Sequence, residues 1–171
     1  MNQNIKIRLA KLDDASAISA LLTQLAQRFL VQDFTEAGSQ CLLAAMTEQS
    51  IVSYIKQGFC YHLAEQFYEY GQPQLLGVVA TRDNTHLYHL FVAELAQGQG
   101  LAGKLWQQAK AVCLANGNQG EFTVNASLGA KAMYQAWGFV AEQERRENKG
   151  IIDVPMRLII EEVLTKEKQC N

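Results

Sequence analysis

Residues 98–103, Gly98-Gln99-Gly100-Leu101-Ala102-Gly103, place three glycines in six positions. They lie between a strand-like run ending at Val92 and a stretch with Leu101, Leu105, Ala109, Val112 and Cys113 on one helical side. Glycine inside a helix costs roughly 1 kcal/mol relative to Ala, so a helix that opens this way sacrifices stability for access. A glycine turn lets main chain approach an anion, and the exposed amides of a helix start favour negative charge. The turn therefore demands a strand–turn–helix unit, and it points to a ligand carrying a pyrophosphate. A plain connecting turn is the competing reading.

The remaining pattern supplies the rest of a sheet. Ile5, Ile7 and Leu9 alternate with Lys6 and Arg8, the period of a half-buried strand. Asp13 or Asp14 is placed to cap a helix whose stripe runs through Ile18, Leu21, Leu22, Leu25 and Phe29. A second helical stretch spans about 36–56, with a break expected near 47–50, and Gly58 ends it. Strand-like runs at 59–68, 75–81 and 86–92, separated by turn-forming segments, read as an antiparallel meander. A strand at 121–125, a helix at 127–137 closed by Gly138, and strands at 139–143 and 151–160 follow, the last two flanking a charged turn at 144–150. The order β-α-α-β-β-β-α-β-α-β-β predicts an α/β fold: a central mixed, mostly antiparallel sheet flanked by helices. A chain of 171 residues forms a single domain over 1–171, with its core at about 5–160 and a short helix over the tail 161–171.

Charge narrows the partners. Fifteen Lys and Arg against 17 Asp and Glu give a net charge of -2, which argues against nucleic acid as a partner. No signal-peptide core and no long apolar run suggest a cytoplasmic chain that does not enter the membrane. Cys41, Cys60, Cys113 and Cys170 lie far apart, without C-x-x-C or nearby His, so reduced, mostly buried thiols are expected, with no metal. The glycine turn also matches two other motifs letter for letter. The dinucleotide fingerprint G-x-G-x-x-G needs an acidic residue at the end of the next strand, where Asn125 stands. The P-loop needs Ser or Thr after its Lys, where Leu105 follows Lys104.

Gln97-Gly98-Gln99-Gly100-Leu101-Ala102, directly after Phe91-Val92, resembles the coenzyme A signature Q/R-x-x-G-x-G/A of the GNAT superfamily of N-acetyltransferases. A second block agrees: Val124-Asn125, then Ala130, Tyr134 and Trp137-Gly138-Phe139. Residues 154–158, Val-Pro-Met-Arg-Leu, resemble the closing strand of one bacterial branch. The resemblance covers about 5–160 and implies a GNAT-like fold and acetyl-CoA as cosubstrate. Main chain of Leu90, Phe91 and Val92 would pair with the pantetheine arm. Gln97, Gly98, Gln99, Gly100, Leu101, Ala102 and Gly103 would hold the pyrophosphate. Asn125 would bond the arm. Ser127 would sit beside it, acting chiefly as N-cap of the next helix. Lys104 and Lys131 are weaker phosphate candidates, more in keeping with solvated charge. Relatives are often dimers, which leaves a homodimer open.

Acetyl transfer to an amine needs a neutral amine, a polarised thioester carbonyl and a proton for the departing thiolate. The resemblance points to Tyr134 as proton donor, and a phenol of pKa about 10 stays protonated at neutral pH. Period-2 alternation puts His86, Tyr88, Leu90 and Val92 on one side of their strand, opposite Leu87, His89 and Phe91. His86 is the candidate base, with an imidazole partly neutral at physiological pH; His89 and Glu65 are weaker ones. An amide near Val92 would polarise the carbonyl. The expected course is direct attack by a primary amine, of a small molecule or a peptide, in a ternary complex. An acyl-CoA-binding sensor without turnover is the competing class, against which Tyr134 weighs. Residues 29–58 and 144–150 are expected to line the acceptor pocket, where Asp33, Glu36, Glu48, Glu144 and Glu147 could attract a cation, though solvated charge is the plainer reading.

Overall fold

The computed structural model describes residues 4–161. It contains a twisted eight-stranded sheet with helices on both faces. Strand β1 (Asn4–Leu9) pairs antiparallel with β2 (Cys60–Phe67), which begins the meander through β3 (Gln74–Arg82) and β4 (His86–Val92). Between β1 and β2 lie α1 (Ala15–Phe29), α2 (Glu36–Ala44) and α3 (Glu48–Lys56). Helix α4 (Leu101–Ala115) leads to β5 (Glu121–Ala126), then α5 (Lys131–Ala136), β6 (Val140–Ala141), β7 (Arg146–Asn148) and β8 (Ile151–Ile159). The strand order is β1-β2-β3-β4-β5-β8-β6, with β7 paired to β8; only β4 and β5 run parallel.

Local chemistry explains the helix boundaries and corrects some expectations. Asp14 stands at the N-cap of α1 but makes no side-chain cap bond to it. Its carboxylate instead takes both Arg8 terminal nitrogens at 2.8 Å and the Lys11 amide at 2.7 Å. Arg8 also donates through Nε to Glu65 at 2.7 Å, locking the edge strand to the start of α1. The 36–56 stretch divides where expected, because Thr47 starts a new helix by accepting the Ser50 amide at 3.2 Å. Thr35 does the same for α2 through Gly38. Ser127 is not the N-cap of α5: residues 128–130 form a turn, Ala130 holds the cap position, and the Ser127 carbonyl accepts from Ala130 and Lys131. The charged segment 144–150 contains β7, so one strand more is present than expected. The expected tail helix lies outside the described residues beyond Glu161, as does Cys170. Cys113 is buried and Cys60 half-buried, but Cys41 is exposed.

Two apolar cores lie on opposite sides of the sheet. Leu76, Val79, Leu87, Phe122, Val124 and Met156 pack under α4 and α5 with Leu105, Trp106 and Phe139. Tyr61, Leu63, Val78 and Ala80 pack under α1 and α3 with Ile18, Leu22 and Ile51. Gly77 allows α4 to approach, since a Cβ there would stand 2.8 Å from Leu105 Cδ1. On the other side, a Cβ on Gly38 would collide with the Gly150 carbonyl, so α2 rests directly on the β7–β8 turn.

Strand β4 breaks its own alternation. Ala80 pairs with His89 but Thr81 pairs with Leu87, so Tyr88 is an extra residue in a bulge. Leu87, Leu90 and Val92 therefore face the α4 core, while Phe91 faces the α1 core. Tyr88 and His89 meet Tyr54 of α3, with ring centroids 5.3 and 6.4 Å away. The expectation that His86, Tyr88, Leu90 and Val92 share a side is thus corrected: a bulge shifts everything before it by one position.

Candidate active site

The bulge has a neighbour on its other edge. β4 pairs with β5 only through His86 with Thr123 and Leu87 with Val124. Beyond Leu87 the two parallel strands part, and β4 keeps hydrogen-bonded partners on its β3 side alone. A cleft of about 1110 Å³ passes through this gap, from the N-terminus of α4 on one face to the wall of α1 and α2 on the other. Leu90, Phe91, Val92, Gln97, Gly98, Gly100, Leu101, Ala102, Gly103, Asn125 and Ser127 all line it. Gln99 does not; its side chain folds back to donate to the Leu95 carbonyl at 2.9 Å. Gln97 likewise turns inward, donating to the Val92 carbonyl at 2.9 Å and bracing the turn against the strand end. Lys104 and Lys131 are not among the lining residues.

The turn offers amides in number. Gln97 N–H bonds Glu94, and Lys104 N–H reaches Gly100 as the first bond of α4. Between them, the amides of Gly98, Gln99, Gly100, Leu101, Ala102 and Gly103 donate to no protein group among the described residues. Gly98 and Gly100 have φ of 71° and 76°, the left-handed region that glycine enters without penalty. A Cβ on either would meet nothing within 4 Å, so their missing side chains leave open space above these donors. The helix dipole of α4 adds positive potential at the same place. A diphosphate fits this donor set, and an extended arm fits the unpaired edge of β4.

Tyr134 sits on α5 with its ring edge-on to Trp137 at 5.6 Å and Phe139 at 5.5 Å. Burial pushes its phenol well above the usual value, so it remains protonated. Its hydroxyl has no hydrogen-bond partner among the described residues and is not sealed from solvent. Its helical neighbours Ala130, Met133 and Trp137 line the cleft, whereas Tyr134 itself is packed behind them.

His86 is also not among the lining residues; its Nδ1 lies 2.8 Å from Thr123 Oγ1 at the closed end of the gap. Burial, reinforced by Arg82, lowers its pKa to about 4, so it is fully neutral at physiological pH rather than partly so. His89 does line the cleft, next to Tyr88. Its Nδ1 is 3.0 Å from the Tyr61 hydroxyl, and burial lowers its pKa to about 3. Glu65 is committed to Arg8.

The α1–α2 side of the cleft carries Phe29, Phe34 and Leu42 on its wall. Of the five acidic residues in the two segments expected there, Asp33 alone lines it. Sequence reasoning missed Arg146 and Asp153, which face each other across the β7–β8 hairpin. The positive φ of Lys149 and Gly150 marks that hairpin, and Lys-Gly between two short alternating runs was the available signal.

A family model described as an acetyltransferase (GNAT) domain matches residues 30–160. The chain belongs to the GNAT acetyltransferase family. It is accordingly an acyltransferase. Solved structures of the family share its fold. A GCN5-related N-acetyltransferase from Rhodopseudomonas palustris superposes with a TM-score of 0.74 at 20% identity, over 94% of this chain and 99% of that one. The PaiA N-acetyltransferase of Thermoplasma acidophilum, in complex with coenzyme A, gives 0.72 at 13% identity over 92% and 99%. Mutant forms of the spermidine/spermine N-acetyltransferase SpeG of Vibrio cholerae give 0.58 at 19% over 95% and 98%. Compared with curated protein sequences, the chain finds no match. Among the described residues no helix is long and apolar enough to cross a membrane.

Proposed function

We propose that this protein transfers the acetyl group of acetyl-CoA to a primary amine by direct attack in a ternary complex. The observation that carries the reading is the run of unpartnered amides from Gly98 to Gly103, opening on the same cleft as the unpaired edge of β4. Those amides would hold the diphosphate without any cationic side chain. Main chain of Leu90, Phe91 and Val92, with Asn125 opposite, would align the pantetheine as an added strand. When bound, acetyl-CoA supplies an acetyl group activated as a thioester.

The chain's own groups then have three tasks. A β4 amide near Val92 would polarise the carbonyl, as a donor fixed in place before reaction. Tyr134, protonated and with a free hydroxyl, would give the departing sulfur its proton. Proton removal from the amine would run through water to solvent, with His86 as a neutral anchor for that water behind the cleft wall, since a ring with a pKa near 4 does not keep the proton. No cysteine nucleophile is required. The acceptor is a small-molecule or peptide amine, which enters from the α1–α2 side, and the protein works in the cytoplasm.

The test is release of free CoA from acetyl-CoA with a panel of polyamines, aminoglycosides, amino acids and peptides. It is read beside thermal shifts with CoA, ATP and NAD, since only ligands of the native state raise the melting temperature. Stabilisation by CoA alone with turnover of at least one amine supports the proposal. Stabilisation without turnover of any amine would make the protein an acyl-CoA sensor.

A further inference from the structure

The cleft wall carries three charged side chains among the described residues: Asp33, Arg146 and Asp153. Arg146 is the single cation, and its setting is unusual for a surface arginine. Asp153 is 8% exposed and accepts from Arg146 Nε at 3.0 Å and Nη2 at 3.1 Å, fixing the guanidinium plane. Nη1 donates to no protein group among the described residues. A planar fork held on one edge and free on the other is suited to a second carboxylate.

Its location excludes the diphosphate as that partner. Arg146 belongs to the β7–β8 hairpin, whose Gly150 carbonyl accepts the Thr35 amide at 3.2 Å at the start of α2. That puts it on the α1–α2 side of the sheet, with Asp33 and Phe34. The glycine turn lies on the opposite side, where Gly103 faces Trp137. Taking the amine-acetylation reading as given, we propose that the acceptor carries a carboxylate on an apolar body, and that Arg146, held by Asp153, reads it. The acceptor is then an amino acid or peptide rather than a polyamine. Phe34 and Leu42 would cover its apolar part, and Asp33 would meet its ammonium before deprotonation. A polyamine would leave the outer edge of Arg146 without a carboxylate to accept from it.

The experiment compares matched acceptors that differ only in the carboxylate, phenylalanine against phenethylamine and leucine against isopentylamine, with spermidine as the cationic reference. The expected result is a kcat/KM about 10- to 100-fold higher for the carboxylated member of each pair. In Arg146→Gln that ratio collapses toward one, chiefly through KM, while Arg146→Lys recovers part of it. CoA affinity, measured on the same variants, separates folding and cofactor effects. Spermidine or the decarboxylated amines as the better substrates would overturn the proposal, as would a ratio that survives in Arg146→Gln, or an Arg146→Gln loss confined to CoA affinity. If no amine is turned over, the acetylation reading itself has failed. Calorimetric titration of phenylalanine into the CoA-saturated protein then still decides: binding lost in Arg146→Gln supports a carboxylate site, and no binding to the wild type rejects it.

Discussion

Gly100 offers the sharpest test of the diphosphate cradle, because its two substitutions separate backbone strain from charge. It is the N-cap of α4 at φ 76°, and open space surrounds the position of its missing Cβ. In Gly100→Ala the cost is conformational, about 1–2 kcal/mol for a left-handed non-glycine residue. That corresponds to a melting temperature lower by about 2–8 °C for a chain of this size. Gly100→Glu adds the same strain and also brings a carboxylate to roughly 6 Å from a diphosphate held on the neighbouring amides. At an effective dielectric of about 20, one such repulsion is worth roughly 3 kcal/mol, or more than 100-fold in Kd. Calorimetric titration with CoA, beside thermal melts of the unliganded variants, measures both quantities. The expected pattern is equal melting temperatures for the two variants and CoA binding much weaker in Gly100→Glu. Binding by Gly100→Glu within about threefold of Gly100→Ala would show that the ligand's charge lies elsewhere.

Tyr134→Phe is expected to slow turnover by about 10² to 10⁴ with CoA affinity nearly intact, in a steady-state assay of CoA release; an unchanged rate removes the acid role. Gly38→Ala pushes a methyl into the Gly150 carbonyl and should destabilise by about 1–3 kcal/mol in urea melts, whereas a wild-type midpoint would mean that the α2 contact gives way freely. His86 and His89 have folded pKa values of about 4 and about 3, below the 6.5 of an unfolded histidine. Between these values the unfolded chain binds protons that the folded one refuses, so stability is full above pH about 6.5 and falls as the pH drops toward 4. The lowered carboxylate of Asp14 acts in the same direction, but only below its ordinary 3.8. Urea unfolding at half-unit pH steps would show this, and a flat profile from 6.5 to 4.5 would contradict neutral burial of the two rings.

Much of this protein is legible in its sequence because local signals agree with tertiary demands. The meander reads correctly because turn residues separate three runs of apolar and β-branched residues. The glycine turn reads correctly as the opening of a helix because a strand-like run precedes it and the apolar stripe of α4 follows it. Legibility stopped where pairing decides geometry. Nothing in residues 86–92 marks Tyr88 as an extra residue, since the bulge exists only in register with Ala80 and Thr81. The alternation of His86 with Leu90 therefore looked sound and was not. Strand β7 was hidden by its charges: Arg146 reads as loop until Asp153 is seen across the hairpin. Helix α5 starts later than its apolar pattern suggests, after a turn at 128–130 that holds Gly129, a poor helix former.

The brevity of the β4–β5 ladder has a mechanical meaning for the whole molecule. Within the sheet, two residue pairs form the seam between the half built from β1 to β4 and the half built from β5 to β8; the core under α4 and the contact of α2 with the β7–β8 turn bridge those halves from the two faces. A guest lying along that seam would act as a missing plank, carrying strain from one half to the other. Amide exchange should then slow in both halves together when CoA is added, with the largest change at strands flanking the fissure and the least at the outer edge formed by β1.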